Sequence, residues 1–314
     1  MGKNALKLYY PMRQSVESIL PLVDEFVVVL GDSDEDDITR SEIEAIGSEK
    51  IRIVDTVWDI EKYPRGMEHA HQTDLAMEHC TGDWLFYLQS DEVVHEKDLE
   101  NIRKRCEQLL PDKEVEGLLF RYLHFWGDYE HIQDGHCWCR KEIRIVRNHP
   151  EIHSWESALS FRKIPDFDGL NYRQQKGTYK LKVAEVDAEI FHYGWVRPPA
   201  LMQKKIKAFN LNHRGRKSLE EQEAAHHFDR GFDYGNLSKV TRYEGSHPAV
   251  MKSWIARFVW QDQLRFSGPA RSLNPVISKH DKSKYRLLSW LEKRLPGDRR
   301  LGEFRNYIRI KRQG

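Results

Sequence analysis

A chain of 314 residues, 32% of them charged and with a mean hydropathy of −0.71, has a heavily charged surface and enough length to bury one large core or two. Its 50 basic and 49 acidic residues exclude a global field that would draw in nucleic acid, and 4 cysteines are too few for a disulfide scaffold. No apolar run reaches the ~18 residues of a membrane span and no N-terminal segment reads as a signal peptide, so the expected location is a reducing cytoplasm.

In chain order, residues 12–22 carry Met12, Val16, Ile19, Leu20 and Leu22 at the spacing of a helix packed on a sheet, which Pro21 kinks or ends. Phe26-Val27-Val28-Val29-Leu30 is a continuous apolar run and predicts a buried strand. The loop that follows, Gly31 to Asp37, is crowded with carboxylates. It either caps the helix expected over residues 38–46, or places Asp32 and Asp34 to accept hydrogen bonds from a ribose or a base N–H. A strand at 51–54, a loop at 61–66 and a helix at 67–79 lead to Thr81-Gly82-Asp83 and the aromatic run Trp84 to Leu88. Beyond it the pattern predicts a helix at 96–110, strands at 115–123, 142–146 and 154–161, and an apolar approach at 188–192 to Tyr193-Gly194-Trp195. After Pro198-Pro199 the composition shifts to helical segments at 201–212, 219–228 and 250–258, then a basic amphipathic tail over 285–313.

Alternating strands and helices over the first ~90 residues predict an α/β protein with a doubly wound, mostly parallel sheet. Trp84 to Leu88 would be a central strand, with Gln89-Ser90-Asp91-Glu92 at its C-terminal end, where such sheets bind ligands. Carboxylates there suit Mg²⁺ or Mn²⁺ carrying a diphosphate, or else simply cap the next helix. Cys137-Trp138-Cys139 has poor zinc spacing and reads as a strand with both thiols on one face.

The order of these features resembles a family 2 glycosyltransferase. VVVLGDSDEDDIT stands in the place of the family's nucleotide-binding loop, and KYPRGMEHAHQTDLAMEHCTGDWLFYLQSDE in that of the helix and strand leading to its metal motif. The resemblance covers roughly residues 4–197. It departs from the family's aspartate-x-aspartate motif at Gln89, where an amide replaces the first carboxylate, and from its Ala-Arg-Asn at Gln72-Thr73-Asp74. Family members also open with a strand and turn that help to hold the base; KNALKLYYP is similar to the segment just after it, so either the chain is truncated or something else completes that edge.

The resemblance implies a GT-A fold, a Rossmann-like sheet in residues 1–197 with a mainly helical C-terminal extension in 198–314. It implies an inverting transfer from a nucleotide-diphosphate sugar, UDP-sugar above others, to a glycan or lipid-linked acceptor in surface polysaccharide synthesis. Asp91 and His192 would hold the cation, with Mn²⁺ suiting imidazole better than Mg²⁺. Glu156 would be the general base beside a stacking Trp155. Asp32, Asp34, Arg65, Gly66 and Gln89 would contact the nucleotide. The basic tail would be merely solvated or lie against an anionic membrane surface. A catalytically silent nucleotide binder is the alternative that Gln89 and the missing strand motivate; a nucleotidyltransferase would want a glycine-rich loop near the N-terminus, and none is present.

Overall fold

The computed structural model describes residues 5–224, 231–272, 282–295, 300–302 and 305–312. The first part alternates as its sequence predicts: α1 (Met12–Ile19), β1 (Phe26–Leu30), α2 (Thr39–Glu44), β2 (Ile51–Asp55), α3 (Met67–Glu78) and β3 (Trp84–Phe86). α1 stops two residues short of Pro21, whose ring cannot follow another helical turn. β4 (Glu92–Val94) and α4 (Leu99–Leu109) come next, and then the helices give out. β5 (Gly117–Trp126), β6 (His131–Gln133), β7 (Lys141–Arg147), β8 (Ile152–Trp155), β9 (Ser160–Lys163) and β10 (Tyr179–Trp195) succeed one another directly. α5 (Pro199–Ala224), β11 (Thr241–Arg242), α6 (Lys252–Ile255), α7 (Ser283–Glu292) and β12 (Tyr307–Arg309) complete the described chain.

This arrangement corrects the expected fold class. The main sheet is mixed and mostly antiparallel, with ten strands, and the parallel β1–β2 pair forms a separate two-stranded sheet. In the large sheet only β5–β10 and β10–β12 run parallel; β4–β10, β5–β7, β3–β7, β5–β6, β6–β11, β8–β9 and β9–β10 are antiparallel. The physical reason lies between residues 110 and 198, where strands follow one another without helices and short connections pair neighbours antiparallel; the parallel β5–β10 pair is bridged instead by β6 to β9. The expected helical extension is also corrected, because β11 and β12 return to the large sheet.

Other expectations shift locally. The strand expected at 154–161 is a hairpin of β8 and β9, turned by left-handed backbone at Glu156 (φ 59) and Ala158 (φ 56). The two helices expected after residue 198 meet as α5 across Gly215, whose φ of 80 and ψ of 169 interrupt the helix; residues 225–228 of that expectation lie outside the described residues. Cys137 and Cys139 lie in a turn rather than a strand.

Two clusters dominate the core. Ile19 of α1 and Ile102 of α4 pack on Leu118, Phe120 and Ile190 across β5 and β10. Under the ends of the same strands, Phe125, Phe191 and Tyr193 pack with Trp254, Trp260 and Tyr9. β10 is shared by both, and it delivers the next group of residues.

Candidate functional site

β10 pairs His192 with His124 of β5 on one side and with Glu92 of β4 on the other. Its pairing with β5 then slips between His192 and Trp195, an irregularity of the kind that re-aims side chains beside binding sites. Asp91, in the loop between β3 and β4, is tied to this slip by its carbonyl, which accepts from the Tyr193 N–H at 2.8 Å. The result is a buried constellation. Asp91 Oδ2 lies 3.6 Å from His192 Nε2 and 3.4 Å from Lys205 Nζ of α5. Gly194 is required where it stands, since a Cβ there would meet Asp91 Oδ2 and His192 Nε2, each at 2.4 Å.

The imidazole network fixes which nitrogen faces the carboxylate. His124 Nε2 lies 2.8 Å from the Cys139 carbonyl, which can only accept, so this nitrogen carries a proton. Burial, reinforced by His192, pushes the His124 pKa well below the usual imidazole range, so its Nδ1 is bare. The proton in the 3.0 Å contact between the two Nδ1 atoms therefore belongs to His192. His192 Nε2 is left aimed at Asp91, placed either to donate a proton to the carboxylate or to share a cation with it.

Charge around Asp91 is lopsided. Burial alone would raise its carboxyl pKa, but Lys205, then His192 and Arg197, outweigh burial and hold it well below the carboxylate range. Lys205 is itself pushed down to about 7 by burial and by Arg197, against the pull of Asp91. Arg197 is fully buried, donates to the Leu8 and Gly194 carbonyls at 2.5 and 3.0 Å, and lies over the Tyr10 ring. Lys205 donates to the Gly194 carbonyl at 2.6 Å.

Asp91, His192, Lys205 and Gln89 line a cavity of about 1610 Å³. Trp126, Trp138 and Trp195 line it too, with ring centroids 5.3 to 5.5 Å apart. Indole faces of this kind stack on sugars or bases.

The other residues singled out from sequence scatter around this centre. Gln89 spends its amide N–H groups on the Tyr87 hydroxyl (3.1 Å) and the Ala158 carbonyl (3.3 Å). Gly66 (φ 81) does permit close approach, but of α5: its N–H donates to the Asn212 carbonyl at 2.9 Å and His213 covers it. Arg65 is left-handed (φ 59) and exposed, with its carbonyl 3.4 Å from Arg173 Nη1. Arg173 also holds Glu156, at 3.5 Å, while Ser157 beside it lines the cavity. Trp155 is buried beneath the Arg162 guanidinium and presents no free face. Asp32 accepts from the Trp58 N–H at 2.9 Å, and the exposed Asp34 pairs with Lys7 at 3.0 Å.

Asp91 and His192 are thus brought together, whereas Arg65 and Glu156 are linked to each other through Arg173 and do not line the cavity. Sequence reasoning missed Lys205, Arg197, His124, Tyr10 and Gly194. The available signal was the pair of basic residues Arg197 and Lys205 closely following Gly194-Trp195; nothing local marks Tyr10 or His124. Much of the basic tail is spent internally: Arg309 pairs with Glu185 (2.9 Å), Arg312 with Asp112 (2.6 Å) and Lys293 with Asp134 (3.1 Å). Among the described residues no helix is long and apolar enough to cross a membrane. No protein-family model matches the chain, and no curated protein matches its sequence.

Proposed function

We propose that this chain is an inverting, cation-dependent glycosyltransferase, similar in activity to family 2 enzymes, moving a sugar from a nucleoside diphosphate, UDP foremost, to a hydroxyl of a glycan or lipid-linked acceptor. The observation that carries the reading is the Asp91 carboxylate set 3.6 Å from His192 Nε2 and 3.4 Å from Lys205 in a cavity walled by indole. An imidazole nitrogen and a hard oxygen fit Mn²⁺, and Mg²⁺ less well. When bound, such a cation neutralises the charge that grows on the departing diphosphate.

The protein's own groups divide the remaining work. Lys205 lends a positive charge to the same oxygens, and Arg197, committed to backbone carbonyls, adds its field without contact. Asp32 and Asp34 would meet the ribose or base, and Arg65 a phosphate. The tryptophan wall would stack on donor or acceptor sugar and exclude water. Glu156 would take the proton from the acceptor hydroxyl. The left-handed residues around it are strain of the sort that gathers at functional sites.

A silent nucleotide-binding protein is the second reading. Gln89 favours it, with its amide given to structure, and so does the lack of any group of three or more ligating side chains among the described residues. Calorimetry with UDP and Mn²⁺, followed by release of sugar from UDP-sugars, separates the two. Binding with release that disappears in Asp91→Ala supports the enzyme; binding without release supports the silent binder; no binding removes both.

A further inference from the structure

α7 is fastened to the molecule along one stripe and leaves the opposite stripe uncovered. Tyr285, Ser289 and Glu292 form the inner side of this helix, and all three meet the loop between β6 and β7. Ser289 Oγ accepts from the His136 N–H at 2.9 Å, the buried Glu292 carboxylate lies 2.6 Å from His136 Nδ1, and the Tyr285 ring stacks on the same imidazole. Lys293 adds an ion pair with Asp134 at 3.1 Å. These contacts are polar or aromatic, and among the described residues no α7 side chain belongs to the apolar clusters of the core.

Leu287, Trp290 and Leu291, spaced i, i+3 and i+4, make up the outer stripe and are 59, 52 and 37% exposed. Single exposed apolar residues are ordinary. Three large ones on one turn of helix mark a surface that something covers.

Charge says what covers it. Every exposed charge from residue 282 to residue 294 is basic, in a chain whose basic and acidic totals all but cancel. Lys293 is taken by Asp134, whereas Lys282, Lys284, Arg286 and Arg294 meet no carboxylate among the described residues. Arg294 lies 3.7 Å over the Trp290 ring and its Nη1 donates to the Trp290 carbonyl at 2.9 Å, so indole and guanidinium share one exposed spot. Such a pair suits the boundary between acyl chains and headgroups, which offers the ring an apolar side and the cation a phosphate. A second copy of this chain would bring the same cations, and like charges oppose a symmetric pairing of α7. A protein partner would have to set an acid against each cation around the stripe; a leaflet of anionic lipid presents negative charge to all of them at once.

We propose that the outer face of α7 is a peripheral docking surface for an anionic phospholipid bilayer. Leu287, Trp290 and Leu291 enter the boundary between headgroups and acyl chains, while Lys282, Lys284, Arg286 and Arg294 meet lipid phosphates. At 10 residues the helix lies along the surface and is too short to cross it. Its inner side grips the loop that also carries Trp138 of the cavity wall, so docking sets the cavity beside the leaflet. The surface rests on exposure and charge, and stands whether or not the chain transfers sugar.

The probe is a vesicle of phosphatidylcholine with about 30% phosphatidylglycerol, compared by flotation with phosphatidylcholine alone. The anionic vesicles should retain about ten-fold more of the full chain or better, and retention should fall as salt is raised. Leu287→Ser, Trp290→Ser and Leu291→Ser together should weaken retention by about ten-fold or more with helix content unchanged by circular dichroism, since all three side chains are exposed. Lys282→Glu with Arg286→Glu, which leaves the apolar stripe intact, should weaken it by a similar factor and flatten the salt dependence. Four results overturn the proposal: no retention on either vesicle, equal retention on both, parent-like retention of the serine variant, or a lipid-free dimer that the serine variant dissolves, which gives the face to a second copy.

Discussion

Asp91 and Glu92 are adjacent, both buried and both carboxylates, yet they belong to regions built on opposite principles. Glu92 is fully buried beneath the histidine pair and meets the Arg144 guanidinium through two hydrogen bonds of 2.8 Å, with the Tyr122 hydroxyl donating to the same carboxylate. Burial alone would pull Arg144 down, but Glu92 and Tyr122 hold it well above its usual range, so one cation answers one anion and nothing is left over. Asp91, one residue earlier, faces Lys205, His192 and Arg197 together. A matched pair closes a region and fixes the strands that carry it. A region in which Lys205 and Arg197 both face one carboxylate still has charge to offer, and an anionic ligand with its counter-cation is what would use it.

The contrast is most sharply tested at the carboxylates themselves. Asp91→Ala should lower sugar release from UDP-sugar by about 10³-fold or more with helix and sheet content unchanged by circular dichroism, and at a cost in stability smaller than that of Glu92→Ala because Lys205 can shed its proton. Turnover at the parent rate would remove Asp91 from the chemistry. Glu92→Ala should do the reverse, costing about 3–5 kcal/mol of stability in denaturant titrations because Arg144 is left buried and unpaired. A smaller loss would mean that Arg144 finds water or another partner.

Gly194→Ala probes the distance between the ligands rather than their presence. The new Cβ must push Asp91 and His192 apart, so Mn²⁺-dependent UDP binding should weaken by about ten-fold with helix and sheet content unchanged by circular dichroism. Equal affinity in this variant would argue that the two side chains never share a ligand.

Lys205 gives the smallest effect and the most specific one. With its pKa lowered from 10.5 to about 7, the folded protein lacks between those values a proton that the unfolded chain still binds. Stability contributed by this group therefore rises with pH through that window, while attraction for a diphosphate falls as pH climbs past about 7. Lys205→Met should flatten both trends. Thermal unfolding at pH 7 and 9 and UDP titration at pH 6 and 8 would read them, and an unchanged slope in the variant would assign the pH response elsewhere.

What the sequence reveals divides along the same lines as the physics. β1, β2, α3 and α4 are legible because continuous apolar runs and helical spacing are local signals, and Asp91 is legible because it ends such a run. The sheet is not, because strand direction depends on partners far away in the chain. Nothing within Tyr179–Trp195 states that it will pair with β4, β5, β9 and β12, and its charged first half hides all but residues 188–192. His124 and Lys205 are illegible for a related reason: they are 33 and 114 residues from Asp91 in the chain, and only β5, β10 and α5 in place bring them to it. Glu92 looked like half of a ligand pair because its partner, Arg144, is 52 residues away.

The position of β10 has a consequence for how the molecule comes into being. As synthesis proceeds from the N-terminus, β4 and β5 leave the ribosome well before the strand that pairs with both of them, and they wait with bare edges that chaperones would shield. No partial product ending short of residue 205 holds Asp91, His192, Gly194 and Lys205 together, so assembly of the pocket waits until about two-thirds of the chain has been made. A force-sensing arrest sequence moved along the chain should register its main pull only after Trp195 has cleared the exit tunnel, and a strong earlier pull would show that the sheet closes without its spine.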